Sequence, residues 1–120
     1  MRCALLALLL ATGACAKKAE QPPPEPRPAP LSVDEVKRSQ DACQVYIDRA
    51  CACAATVPAA QKECGDAKPL SDAIRIALEV GGSLDAKPDI VLQTQASVRK
   101  TVKHCIEATA KLPSLGCPTQ

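Results

Sequence analysis

Six cysteines, Cys43, Cys51, Cys53, Cys64, Cys105 and Cys117, run through a stretch that holds one aromatic residue, Tyr46, and neither Phe nor Trp. Ala, Val, Ile and Leu must then fill the core, and a domain of about 85 residues built this way is marginal without cross-links. If the cysteines pair, each bridge contributes roughly 2 to 4 kcal/mol, chiefly by restricting the unfolded chain. Three bridges would rival the whole net stability of an ordinary domain. In an oxidising compartment six cysteines, an even number in a small chain, read as a disulfide framework that need leave no thiol over, with 15 pairings that sequence alone does not separate.

The N-terminus supplies such a place. Arg2 is a minimal charged start, and the uncharged apolar stretch Cys3 to Ala11 is well short of the roughly 20 residues a membrane-spanning helix needs. Residues 1–14 read as a signal peptide. Thr12-Gly13-Ala14-Cys15 resembles the lipobox of bacterial lipoproteins, with Thr12, a near-isostere of Val, where that family usually carries Leu, Val or Ile. The resemblance implies that Cys15 is lipidated and becomes the mature N-terminus, a palmitate-type anchor in a membrane. Ala16 after the lipidated cysteine implies the outer membrane, with the domain facing the periplasm. The competing reading is an ordinary A-x-A cleavage site at Ala14 and Ala16, which would release a soluble periplasmic or secreted protein beginning at Lys17.

From Ala16 to Pro30 the chain carries Pro22, Pro23, Pro24, Pro26, Pro28 and Pro30 among Lys17, Lys18, Glu20, Glu25 and Arg27. Proline removes backbone donors and favours an extended left-handed helix rising ~3.1 Å per residue, so this segment reads as a tether without regular structure. A ligand for a partner's aromatic groove is the functional alternative. The expected organisation is a signal peptide over 1–14, a lipidated cysteine and proline-rich linker over 15–31, and a helical cysteine-rich domain over 32–120.

Ser32 with Glu35 three residues on makes a capping box, and Leu31 and Val36 occupy the staple positions. Val36, Cys43, Ile47, Ala50 and Ala54 recur at helical spacing, so a first helix is expected to about Ala54. A short helix over Ala59 to Cys64 follows, with Gly65 as its stop. Asp66-Ala67-Lys68-Pro69 opens a second main helix with the stripe Leu70, Ala73, Ile74, Ala77 and Leu78, ended by Gly81-Gly82. Asp85-Ala86-Lys87-Pro88 opens a third, with Val91, Val98, Val102, Cys105, Thr109 and Leu112 on one side and Pro113 as its end. No stretch alternates as a strand would. The fold class is all-α: a small disulfide-stapled bundle of three main helices plus a short one, packed up-down-up.

Helix heights at ~1.5 Å per residue suggest a pairing. Cys51 and Cys64 flank the first turn at similar heights. Cys43 and Cys105 lie on the apolar stripes of the first and third main helices and meet if those helices are offset, this being the pair whose heights differ most. Cys53, near the top of the first helix, is left for Cys117 in the tail.

Few groups offer chemistry. Cys51-Ala52-Cys53, with His104-Cys105, could bind a soft metal if reduced, but on a helix Cys51 and Cys53 point about 200° apart and suit two disulfide partners better than one ion. His104, the only histidine, has no nucleophile or orienting acid arranged around it in the sequence and reads as exposed near a helix C-terminus. There is no G-x-S-x-G, H-E-x-x-H, C-x-x-C or phosphate loop, so neither an enzyme nor a cofactor is expected. Arg99, Lys103, Glu107 and Lys111 fall four apart on one line beside Lys100: a solvated face by default, or a contact with anionic envelope components. A formal net charge of +2 and the lack of aromatics for stacking disfavour nucleic acid. The expected role is a binding or structural module at the envelope with an unidentified protein or other component as partner. The alternatives are a metal-handling protein using Cys51 and Cys53, and an inhibitor or accessory subunit of an envelope complex.

Overall fold

The computed structural model describes residues 22–119; Cys15 and the leader lie outside them. All regular structure among the described residues is helical. The elements are α1 (Val33–Ala54), a 3₁₀ turn (Pro58–Ala60), α2 (Gln61–Ala67), α3 (Leu70–Gly82), α4 (Pro88–Lys111) and a second 3₁₀ turn (Leu112–Leu115).

Local chemistry accounts for most boundaries. Ser32 Oγ accepts from the Glu35 backbone N–H at 3.2 Å and opens α1, while the Glu35 carboxylate turns away to accept from Arg99 Nε at 3.1 Å. Only half of the capping box therefore forms. Gly65 does not stop the short helix. It would stop it by adopting a left-handed backbone, and Gly116 is the one described glycine with positive φ. Helix α2 runs on to Ala67, the Lys68 N–H still reaches the Cys64 carbonyl at 3.3 Å, and Pro69, with no N–H to offer, marks the end. The two Asp-Ala-Lys-Pro tetrapeptides differ in use. Lys87 is extended (φ −68°, ψ 153°) ahead of Pro88 in the first turn of α4, whereas Pro69 is helical (φ −75°, ψ −7°) and joins α2 to α3 in a tight bend.

The three long helices pack up-down-up. Three contacts set α1 parallel to α4: Glu35 to Arg99, the Cys43–Cys105 disulfide and the Cys53–Cys117 disulfide. Helix α3 returns between them in sequence, its Gly81 pressed so close to Thr94 of α4 that an added Cβ would overlap the Thr94 hydroxyl. Because Glu35 sits level with Arg99, the first turns of α4 and the last of α3 project below the start of α1. This offset brings Cys43, eight residues or ~12 Å above Glu35, level with Cys105, six residues or ~9 Å above Arg99.

The core comprises Cys43, Tyr46, Ala50 and Cys53 of α1, Ala60, Ala67, Ile74 of α3, Val98, Cys105, Ala108 and Leu112 around α4, and Cys117 of the tail. The α1 stripe is rotated by one position from the expected one: Tyr46 and Cys53 are buried, Ile47 and Ala54 only half-buried. Helix α2, packed along one flank of α1, is the cause, since it covers the side on which Tyr46 projects. Ala73 of the expected α3 stripe is exposed, and Val36, Val102 and Thr109 are half-buried.

The proline-rich segment is not a free tether throughout. The Arg27 guanidinium donates to the Leu84 carbonyl at 2.7 Å and to the Ser83 carbonyl, Gln95 Nε2 donates to the Ala29 carbonyl at 2.7 Å, and Leu31 packs against the core. Residues 27–31 thus lie along the part of the α3–α4 pair that α1 starts too late to cover.

Candidate functional site

The disulfides dominate the upper end of the bundle. Cys51 is joined to Cys64 (Cα–Cα 4.6 Å), Cys53 to Cys117 (5.4 Å) and Cys43 to Cys105 (5.0 Å), within the separation a bridge requires. These are the pairs that helix heights suggest. The two cysteines of Cys51-Ala52-Cys53 leave α1 in different directions, one toward α2 and the other toward the tail. Gly116, at φ 94°, turns the chain after the second 3₁₀ turn, with the Cys117 N–H returning to the Leu112 carbonyl at 3.3 Å, and so aims Cys117 at Cys53. As cystines, Cys51 and Cys53 offer no thiolate to a metal. Among the described residues no group of three or more His, Cys, Asp or Glu side chains could hold a metal ion.

Beside this end lies the most polar arrangement of the interior. The Tyr46 side chain is fully buried, and its hydroxyl donates to Glu63 Oε2 at 2.6 Å. Burial, and then the Glu63 carboxylate, push the Tyr46 phenol well above its ordinary value, so it stays protonated and a donor. His104 is exposed and meets the Tyr46 ring edge-on, with centroids 6.1 Å apart and planes at 89°. It opens with Glu63, Glu107 and Lys111 onto a hollow of about 280 Å³. Ser114 lines the same hollow, but its hydroxyl donates to the Lys111 carbonyl at 2.6 Å rather than to His104. Tyr46, bonded away from solvent, is a packing residue with one satisfied polar atom.

A trough in two parts lies between the parallel helices α1 and α4. Its lower part, about 370 Å³, is bordered by Glu35, Arg38, Arg99 and Lys103; its upper part, about 340 Å³, by Arg49, Thr56, Thr109 and the Cys53–Cys117 bridge. Ile106, 57% exposed, lines both parts. Heptad spacing sets Arg38, Val45 and Ala52 in one column of α1, with Arg49 beside it, and Val45 is 44% exposed. The parallel register of the two helices brings Arg99 and Lys103, on their expected line, opposite Arg38, and sets Arg49 opposite Thr109 and Pro113. Glu107 stands 3.8 Å from Lys103, and Lys111 belongs instead to the hollow beside His104.

No helix among the described residues is long and apolar enough to cross a membrane. In comparisons with known proteins, no family model, curated protein or solved structure matches the chain.

Proposed function

We propose that the chain is an exported lipoprotein of the cell envelope, anchored through Cys15, whose helical domain works by binding in the periplasm rather than by catalysis. The observation that carries the reading is the pairing of all six cysteines of the domain, a covalent state that suits an oxidising compartment and that a leader ending in Thr12-Gly13-Ala14-Cys15 would deliver the chain to. Ala16 points to the outer membrane as the destination. The domain offers a partner its helix faces and loops. Its one histidine lies beside a tyrosine, carboxylates and Ser114, whose hydroxyl is turned to the Lys111 carbonyl, and Cys51 and Cys53 are held as cystines.

Mass spectrometry of the mature N-terminus tests the anchor. A diacylglyceryl-modified Cys15 is expected, and Cys15→Ala should turn a protein that a high-salt wash leaves on the membrane into one that the wash releases, with its disulfides intact. An unmodified N-terminus at Lys17 would overturn the anchor and leave a soluble periplasmic protein.

A further inference from the structure

We propose that the α1–α4 trough is a docking face for an anionic lipid surface. The proposal deepens the envelope reading, and rests on it in that an envelope module has such a surface within reach.

Charge segregation is the first argument. The whole chain carries a formal net charge of only +2, yet Arg38, Arg49, Arg99 and Lys103 all border this one trough. Glu35 is the one carboxylate lining either part, and it is already bonded to Arg99. Neither Arg38 nor Arg49 has a carboxylate within 4.0 Å among the described residues, so both cations remain available to an outside anion.

The second argument is the spread of those charges. Arg38 and Arg49 are eleven residues apart, or ~16 Å along α1, and Arg99 and Lys103 of α4 stand across from Arg38 in the lower part of the trough. One phosphate cannot engage such an array, whereas neighbouring headgroups of a leaflet can. The face combines these cations with exposed aliphatic side chains, Val45 and Ile106, between the two arginines, the mixture that lets a helix surface rest at a lipid interface.

The third argument separates lipid from an acidic protein. Protein interfaces draw on aromatic anchors packed into fitted pockets as well as on arginines, and the trough supplies only the arginines. Here the only aromatic apart from the histidine is Tyr46, fully buried beneath the surface. Attraction to an anionic leaflet needs no fitted pocket, because it depends on cations held within a Debye length of the headgroups.

The test is sedimentation of the full-length chain carrying Cys15→Ala, which removes any lipid, with vesicles of phosphatidylcholine alone or mixed in equal parts with phosphatidylglycerol. Any apolar attachment through the leader is common to both vesicle types. Each cation at an anionic leaflet strengthens binding by roughly a factor of five, so Arg38→Gln with Arg49→Gln and Lys103→Gln should weaken binding to the mixed vesicles about a hundredfold. Lys62→Gln with Lys68→Gln and Arg75→Gln removes the same charge from α2 and α3 and should weaken it by less than about tenfold. Equal losses in the two triple variants, or no preference for the anionic vesicles, would overturn the proposal. So would binding to poly-glutamate through the trough cations without binding to anionic vesicles, which would assign the face to an acidic polypeptide. Thermal unfolding of both variants shows whether the fold survives, and the single substitutions serve where a triple one does not fold. Failure of the anchor would show instead in the N-terminal mass and leave the vesicle result standing.

Discussion

The two ends of the bundle hold together by different means. At the upper end the elements are short: a seven-residue helix, two 3₁₀ turns and a tail, none able to bury much surface, and two of the three bridges lie there. At the lower end α3 contains no cysteine and pairs with α4 through close backbone approach at Gly81, apolar contacts around Ile74 and Val98, and residues 27–31 laid alongside. Cys43–Cys105 sits between the two regimes. Covalent bonds thus stand where area is scarce, and packing suffices where two long helices meet.

The largest effect should come from the central bridge. Replacing Cys43 and Cys105 together with Ala removes a link closing 62 residues of sequence separation and leaves a cavity in a thin core, a loss of about 3 to 5 kcal/mol. Thermal unfolding followed by circular dichroism should show the midpoint falling far more than for Cys51→Ala with Cys64→Ala, which opens a separation of only 13. Equal losses would mean that strain or packing outweighs chain restriction.

Gly81→Val strikes the lower end instead. Its side chain cannot coexist with Thr94 at the present spacing, so α3 and α4 must separate, at about 1 to 3 kcal/mol. Hydrogen exchange should quicken in α3 and the α3–α4 loop while α1 and α2, tied by disulfides, keep their protection. Uniform quickening would show that the ends are one cooperative unit.

Tyr46→Phe should have the smallest effect, about 1 kcal/mol, by leaving the half-buried Glu63 carboxylate without its donor. The pH dependence sharpens it. The folded-state value of Tyr46 lies above its ordinary 10.0, so its share of stability is fully present below that value and is lost as pH rises beyond it, when the unfolded chain ionises first. The Phe variant should lack that alkaline loss. Since the chain has a single tyrosine, phenolate absorbance should rise together with unfolding in the parent protein.

Local signals made much of this legible in advance. Ser32 and Pro88 mark helix starts through backbone chemistry that each residue carries with it, and α3 does close at Gly82, though without the left-handed backbone that a glycine stop uses. Cys51 and Cys53 announce two partners because a helix turns them apart. Features that depend on a neighbour were not legible. Gly65 reads as a stop until α2 is continued into a proline bend, and the burial of Tyr46 follows from α2 lying against α1. The role of Gly116 is visible only once Cys117 must reach Cys53. For the trough, the Arg99 and Lys103 row stands in the sequence, but its facing Arg38 depends on the offset between α1 and α4, a tertiary quantity that spacing within one helix does not carry.

The order in which the bridges interleave has a bearing on survival among proteases. The cysteines pair first with fifth, second with fourth and third with sixth, so Cys43–Cys105 spans every peptide bond up to residue 105 and Cys53–Cys117 spans the rest. A single cut anywhere between Cys43 and Cys117, including the exposed turn around Leu84, releases no fragment: both pieces stay covalently joined, and the nicked molecule keeps its mass but for one added water.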